Sequence, residues 1–352
     1  MSSRVRSFTE AIREAHFELM STDRSVICYG LGVTDPKAIF GTTTGLLDAF
    51  GSERVFDVPT SEAALTGAAI GAALGGLRPI VSHQRLDFFL LAMDQLVNGA
   101  AKWHYMFGSQ TPVPITIRLI VGRGWGQGPT HSQNLHAWFA HIPGLKVVMP
   151  TSPADAKGLL ISSVRDPNPT VFIEHRWLHQ SVGEVIDGDY EVPLGVGALV
   201  EEGEDISIVA SSIMTTEALR ATRVLRSYGV SCDLIDLRTV RPIDWKIIER
   251  SVEKTGRLIA VDSGYRTGSI ASEIVSRIVQ QSYLKLRCPP RVVAMPDIPE
   301  PTSFGLTKHF HVGAPDIANA VVEMCDRKGD STMFFESTVA HDVPDSWFKG
   351  PF

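Results

Sequence analysis

RVFDVPTSEAALTGAAIGAALGGLRPIVSH, residues 54–83, has the pattern of a strand, a helix and a second strand in direct succession. The helical middle consists almost entirely of Ala and Gly, and its one charged residue is Glu62 at the start. A strand, a helix and a strand in this order predict two parallel strands joined by a crossover helix. The alternation continues on both sides of this stretch. We therefore expect an α/β fold with two parallel-sheet domains, each sheet covered by helices on both faces.

The alternation divides the chain into two halves. Residues 1–185 are predicted to form the first domain, and residues 204–333 the second. Between them, residues 186–203 hold several Gly and Pro and show no clear period, which indicates a linker. Residues 334–352 contain apolar side chains without a period. They are predicted to form a tail that lies on this chain or on a partner.

The bulk composition argues against several classes of function. The 352 residues carry a formal net charge of −6 and contain no long basic block, so neither nucleic acid nor an anionic membrane is expected as a partner. The weakly charged run over residues 63–77 is shorter than the roughly 20 apolar residues that cross a bilayer. The four cysteines are scattered without a C-x-x-C pair, which predicts reduced thiols in a cytoplasmic protein rather than disulfides or a zinc site.

Glu62 is the first candidate for chemistry, because ligands of open parallel sheets bind at the carboxyl ends of the strands. The helix dipole alone favours an acid at a helix start, so the position by itself does not require a function. Gly67, Gly71 and Gly75 form a smooth stripe, which predicts a helix packed at an interface. An acid buried at the start of such a helix is a candidate for proton exchange with a ligand nitrogen.

The segment GRGWGQGPTH, residues 122–131, follows another strand end. Gly at every second position gives this loop wide backbone freedom, but it has the spacing of neither a dinucleotide-binding nor a phosphate-binding loop. A helix is expected from about His131, which is either a cap or surface residue or a site residue. His131, His136 and His141 are each five residues apart and do not share a helix face, which argues against a metal site.

Phe88 opens an apolar helix that is expected over residues 88–105. Phenylalanine at such a place belongs to the core more often than to a cofactor platform. The sequence contains no H-E-x-x-H or G-x-S-x-G motif, so zinc hydrolysis and serine hydrolysis have no local support.

Together these segments resemble the β subunits of the thiamine-diphosphate-dependent 2-oxo acid dehydrogenases of the pyruvate and branched-chain type. The matching stretches include RVFDVPTSEAALTGAAIGAALGGLRPI, AMDQLVNGAAKWHYM, HSQNLHAWFAHIPGLKVVMPTSPADAKGLL, LIDLRTVRPID and KTGRLIAVDSGYRTGSIASEI, in the family's order along most of the chain. The resemblance implies that residues 1–185 are a pyrimidine-binding domain and residues 204–333 a transketolase C-terminal domain.

The resemblance also implies roles for individual residues. Glu62 matches the family's catalytic glutamate, which hydrogen-bonds the aminopyrimidine ring of thiamine diphosphate and favours its imino tautomer. Phe88 matches the aromatic residue that stacks on this ring, and His131 matches the active-site histidine of the HSQ motif. A structural potassium site built largely from backbone carbonyls would involve, by position, Ile115, Ser163, Val164, Asp166 and Asn168.

One motif expected of such enzymes is missing. They hold the cofactor's diphosphate through Mg²⁺ with a GDG motif followed by a distant Asn, and this chain has no GDG. Diphosphate without a metal and its ligands is bound poorly. We therefore expect a separate α-type chain to supply the metal half of the site. The cofactor would lie between the chains of a heterotetramer with two copies of each.

The sequence departs from the family pattern near the expected substrate, at His83, Arg85, Arg123 and Trp125. These side chains favour a polar or anionic substrate, or a sugar-like acceptor. The leading hypothesis is the β chain of an enzyme that decarboxylates a 2-oxo acid and passes the fragment to a lipoyl-bearing acyltransferase. The alternatives are a two-chain transketolase-like enzyme, which passes a ketol fragment to an aldehyde or sugar, and a non-catalytic scaffold. The presence of all three family site residues argues against the scaffold.

Overall fold

The computed structural model describes residues 2–124, 126–327 and 341–343. The chain divides into two compact units, of which the first comprises Met1–Gly122 and Trp138–Leu194. The second comprises Arg123–Ala137 and Gly195–Lys349. In the described part of the chain, no helix is long and apolar enough to cross a membrane.

The first unit is built around a parallel sheet. Its elements in chain order are β1 (Ser3–Ser7), α1 (Phe8–Thr22), β2 (Val26–Gly30), α2 (Leu46–Phe50), β3 (Val55–Asp57), α3 (Glu62–Leu74), β4 (Arg78–His83), α4 (Leu86–Phe89), α5 (Ala101–Met106), β5 (Thr116–Val121), α6 (His136–His141), β6 (Lys146–Val148), α7 (Pro153–Arg165), β7 (Thr170–His175) and β8 (Val182–Ile186). Strands of this sheet lie in the order β6-β7-β5-β4-β2-β3, and each pairs in parallel with its neighbours. β1 and β8 form a separate antiparallel pair.

The second unit repeats this plan. Its elements are β9 (Ala198–Glu201), β10 (Ile206–Ala210), α8 (Ile213–Leu225), β11 (Cys232–Asp236), β12 (Thr239–Arg241), α9 (Trp245–Thr255), β13 (Leu258–Tyr265), α10 (Ile270–Ser282), β14 (Arg291–Met295), α11 (Phe304–Thr307) and α12 (Ala314–Met324). The sheet has the order β14-β13-β10-β11-β9, with β9 antiparallel at the edge. The predicted α/β class with two parallel-sheet domains is thus confirmed, and antiparallel strands are added at the margins.

Two predicted helices differ from the structure. The helix expected from about His131 begins instead at His136, because the glycine-rich loop before it continues through turns. The helix expected over residues 88–105 is broken into α4, a 3₁₀ turn, a π-helical segment at Gln95–Ala100 and α5. Gly99 lies in that π segment, and a Cβ placed there would lie 3.0 Å from Ile70 Cδ1, so the irregular segment packs closely on α3.

The stretch predicted as a linker over residues 186–203 contains β9, whose short length and Gly-rich flanks hide its period. The tail predicted over residues 334–352 lies outside the described residues, apart from 341–343.

A buried polar network ties neighbouring strands of the first unit together. Arg118 in β5 donates from Nε to Glu174 Oε1 of β7 at 2.6 Å, and from Nη2 to Glu174 Oε2 at 3.0 Å. His179 Nε2 lies 3.1 Å from the same Oε2 atom. Burial raises the pKa of Glu174, but the Arg118 charge and these hydrogen bonds outweigh it and hold the pKa at about 2. The carboxylate therefore stays ionised inside the core.

Candidate functional site

Glu62 is the first residue of α3, as the sequence predicts. The residue is buried, with 4% of its surface exposed, and it follows the carboxyl end of β3. Tyr29 of the adjacent β2 donates its hydroxyl to Leu65 O at 2.9 Å, which fixes the first turn of the helix against the sheet. This arrangement holds a carboxyl group at the sheet edge where ligands of parallel sheets bind. Its catalytic role stays a prediction.

One face of α3 carries small residues and is exposed. Ala64, Ala68, Gly71 and Gly75 lie on this face, and a Cβ placed on Gly71 would meet no atom within 4 Å. An apolar groove of about 400 Å³ runs beside it, lined by Ile27, Tyr29, Phe56, Val58, Pro59, Ser61, Ala64, Leu65, Ala68 and Ala72. The glycine stripe predicts close packing on α3, but among the described residues of this chain nothing packs on the helix at Gly71.

Of the two neighbouring residues Phe88 and Phe89, one belongs to the core and the other is partly exposed. Phe89 is fully buried, with its ring centroid 4.9 Å from that of His83 and 6.0 Å from that of Phe139. Phe88 is 42% exposed. Phe89 is therefore the core residue. Phe88 presents an apolar ring at the carboxyl edge of the sheet that carries Glu62.

Three basic residues, two of them arginines, lie at the same edge. His83 ends β4 and Arg85 follows it, and both are buried. Burial lowers the pKa of His83 to about 4, so the imidazole is neutral. Arg176, directly after β7, is buried with its guanidinium 4.4 Å from the Phe40 ring centroid. The sequence analysis did not include Arg176, although it directly follows a strand end, where ligands of parallel sheets bind.

The predicted histidine lies in the second unit. His131 is exposed, and Thr130 Oγ1 lies 3.0 Å from its Nδ1. Arg123 is buried and donates from Nη1 to Val312 O at 3.3 Å. Burial lowers the pKa of Arg123, while nearby carboxylates, Glu217 first, oppose that shift. Trp125 lies outside the described residues, and the roles of these residues toward a substrate stay predictions.

A His–Asp pairing that the sequence did not predict anchors this loop in the second unit. His136 Nε2 lies 2.9 Å from Asp262 Oδ1, and both side chains are buried. Asp262 also accepts hydrogen bonds from the backbone N–H groups of Gly264 and Ala271. The two residues lie far apart in sequence, in separate stretches that each match the family, and no local spacing predicts that they meet. A small pocket beside the loop is lined by Arg123, Ser132, Asn134, Ser263, Gly264, Tyr265, Met295, Glu300, Phe310 and His311.

The five residues of the predicted potassium site lie at one corner of the first unit, before β5 and around the end of α7. Ile115 O accepts from Thr170 N at 2.9 Å, and Val164 O accepts from Arg78 Nη1 at 2.8 Å. Each carbonyl oxygen keeps a second lone pair, so both can still ligate a cation. Potassium binding there stays a prediction.

Family models match both units. The model of the transketolase pyrimidine binding domain matches residues 5–180, and that of the transketolase C-terminal domain matches residues 195–317. A split-gene transketolase, solved as an inactive β4 tetramer, shares the fold with a TM-score of 0.74. It is 21% identical, with 92% of this chain and 99% of that chain covered.

Several relatives are β subunits of thiamine-diphosphate enzymes. The pyruvate dehydrogenase E1 component subunit beta of Rhizobium meliloti is 40% identical over 90% of this chain and 69% of that protein. The corresponding subunit of Rickettsia bellii is 38% identical over 90% of this chain and 97% of that protein. The acetoin:2,6-dichlorophenolindophenol oxidoreductase subunit beta of Cupriavidus necator is 40% identical, with the same two coverages. The chain belongs to the family of β subunits of the thiamine-diphosphate-dependent 2-oxo acid dehydrogenases, built from a transketolase pyrimidine-binding and a transketolase C-terminal domain.

Proposed function

We propose that this chain is the β half of a two-chain enzyme that decarboxylates a 2-oxo acid and transfers the remaining fragment to an acceptor such as a lipoyl group. The observation that carries the proposal is that Glu62 and Phe88 both lie at the carboxyl edge of one sheet. Glu62 is buried at the head of a helix of small residues, and Phe88 is an exposed aromatic ring after a nearby strand. A carboxyl group and an aromatic face are what an aminopyrimidine ring requires.

These residues fit thiamine diphosphate, which when bound supplies the electron sink for loss of carbon dioxide. Glu62 would share a proton with a ring nitrogen of the aminopyrimidine, and Phe88 would stack on the ring. His131, whose ring is oriented by Thr130, would orient or protonate the substrate. The exposed small-residue face of α3 supports a further contact with a partner chain.

An α-type chain would complete the assembly as a heterotetramer and supply the Mg²⁺ ligands. A lipoyl-bearing acyltransferase is the proposed acceptor, a potassium ion is proposed beside Ile115, and the cytoplasm is the proposed compartment. The polar residues at the sheet edge also suit a transketolase-like transfer to an aldehyde or sugar. Reduction of a lipoyl domain by the complex would favour the first acceptor, and turnover of sugars without it would favour the second.

Replacing Glu62 tests the proposal. In the complex with its α-type partner, Glu62→Gln is expected to lower kcat by about 10³-fold or more, since it removes the proton that the carboxyl shares. Dye-coupled oxidation of a panel of 2-oxo acids measures this. Glu53→Gln, at an exposed position before β3, is the matched control and should keep wild-type kcat. A loss below about tenfold for Glu62→Gln, with the complex intact, would disprove the proton role.

A further inference from the structure

Two buried guanidinium groups flank the end of β5 in the first unit. Arg85 comes two residues after β4, and Arg176 comes directly after β7. β5 lies between these strands in the sheet, and a Cβ placed on Gly122 would lie 3.1 Å from Arg176 Cβ. Adjacent strands are about 4.8 Å apart, so the two arginines start about 10 Å from each other, a distance that two long side chains can close.

Neither arginine is at the surface. Arg85 and Arg176 are each 6% exposed. Nη1 of Arg85 is buried and has no hydrogen-bond partner among the residues that the structure describes. Burying a guanidinium donor without an acceptor is costly, so the fold keeps this donor for a purpose other than its own stability.

The charge around the two arginines is positive. Burial, and then the charge of Arg85, lowers the pKa of Arg176 to about 10. Burial also lowers the pKa of Arg85, and the Asp87 carboxylate opposes that shift. Glu174 is engaged by Arg118 and His179 instead. Asp87 is therefore the carboxylate that acts on Arg85, and the charge that acts on Arg176 is the Arg85 cation.

We propose that Arg85 and Arg176 form a subsite for an anionic group of the substrate, a carboxylate or a phosphate. Guanidinium forks match both groups with paired hydrogen bonds. The subsite lies at the carboxyl edge of the sheet, and its Arg85 lies on the β4–α4 connection just before the helix that holds Phe88. Arg176 extends the substrate-facing set beyond the residues that the sequence singles out.

The bound group is the second anionic group of the substrate, and this identification depends on the proposed function. Binding the carboxylate that is lost would stabilise the ground state more than the transition state and would slow decarboxylation. The substrate class is therefore a 2-oxo acid whose far end carries a carboxylate or a phosphate.

A binding experiment tests the subsite without turnover. Succinate and inorganic phosphate are titrated into the full chain by calorimetry, with sulfate as a third anion. Arg85→Gln and Arg176→Gln should each weaken binding by about tenfold or more, as expected for a lost charge-assisted hydrogen bond. Arg24→Gln, at an exposed arginine just before β2 and thus at the opposite end of the strands, is the matched control and should bind like the wild type.

Arg85→Lys separates charge from fork geometry. It should fold as the wild type does and still bind more weakly, because a lysine cannot form the paired bonds. If Arg85→Gln fails to fold, this variant decides. Equal anion binding by the wild type, the Arg85 variants and the Arg24 control would overturn the subsite. Stronger binding of succinate than of phosphate would identify a carboxylate, and the reverse order a phosphate.

Turnover by the complete complex tests the substrate class. 2-Oxoglutarate and 2-oxovalerate have the same chain length and differ in the charge of the far end, and 2-oxo-4-phosphonobutyrate supplies the phosphate-like case. We expect an anionic substrate to have the higher kcat/KM, and Arg85→Gln or Arg176→Gln to remove that preference while sparing 2-oxovalerate. Equal loss for charged and uncharged substrates would refute the assignment. Absence of turnover with every 2-oxo acid would instead count against the proposed function, and the anion titration would still decide the subsite.

Discussion

Glu174 shows how strongly a single ionised side chain can depend on its partners. Its carboxylate accepts two hydrogen bonds from Arg118 and lies within hydrogen-bond distance of His179, with no exposed surface. Arg118 also donates to Thr42 Oγ1 at 3.0 Å, so the pair joins two strands and the loop after β2. Buried pairs of this kind contribute little net stability when intact, but removing one partner leaves an uncompensated charge.

Glu174→Gln is therefore expected to lower the free energy of unfolding by about 3–5 kcal/mol, because it leaves the Arg118 charge buried without its counterion. Urea unfolding at pH 7 measures the change. Glu191→Gln is the matched control, since Glu191 pairs with Arg165 at a half-exposed site. Its loss should stay below about 1 kcal/mol. Equal losses in the two variants would show that burial does not set the cost.

Sequence alone could identify residues that belong to a local pattern, but not residues whose partners are distant in sequence. Glu62 lies within the strand–helix–strand stretch of residues 54–83 and Phe88 follows it closely, so pattern and resemblance locate both. Arg118 and Glu174 are 56 residues apart and meet because β5 and β7 are neighbours in the sheet. Strand order is a property of the whole fold, and no local spacing of residues encodes it.

At the scale of elements, the loop that carries His131 is the segment whose position matters most for the proposed function. It belongs to the second unit, where His136 pairs with Asp262 and Asn134 Oδ1 accepts from Ser263 Oγ at 3.5 Å. Burial raises the pKa of Asp262, but the His136 charge and hydrogen bond, with the backbone donors, outweigh it, so the net pKa is low. The ionised acid is thus a fixed anchor for the loop.

His136→Leu should loosen this loop, because Asp262 would keep its charge and lose its side-chain partner. Hydrogen exchange over residues 126–137 should accelerate by about tenfold or more, as local opening becomes easier. His141→Leu, at an exposed position on the same helix, is the matched control and should leave exchange unchanged. Wild-type exchange rates in His136→Leu would show that the pair does not hold the loop.

The elements predicted from sequence are correct where period and length agree. The strand, helix and strand predicted over residues 54–83 are observed as β3, α3 and β4, because the apolar runs and the small-residue helix between them have clear and distinct periods. The helix expected over residues 88–105 is interrupted, and Gly99 in its π-helical segment packs closely on Ile70 of α3. The sequence alone does not show whether a glycine in a helical stretch weakens the helix or allows another element to pack closely against it.

At the scale of the whole molecule, the chain combines two family domains, and the first of them carries the residues proposed for one half of a cofactor site. The family assignment follows from the order of motifs along the chain, which sequence can show. The subsite at Arg85 and Arg176 could not be inferred that way, because the second arginine joins the first only through the strand order β7-β5-β4. The proposed preference of the site for an anionic group therefore depends on the strand order of the sheet.

Several buried histidines make the stability of the molecule depend on pH. Burial, with the charge of Arg118, lowers the pKa of His16 to about 3, and burial lowers that of His83 to about 4. Below a pH of about 6.5 these histidines take up protons in the unfolded chain but stay neutral in the folded chain. The free energy of unfolding therefore falls as the pH falls from about 6.5 toward 4. Each histidine contributes a slope of about 1.4 kcal/mol per pH unit in that window.

Urea unfolding at pH 7, 6 and 5 measures the slope, and His16→Gln should reduce it by one histidine's share. His141→Gln, at an exposed position, should leave it unchanged. The same slope in His16→Gln and the wild type would mean that His16 is protonated equally in both states, which its complete burial against Arg118 argues against.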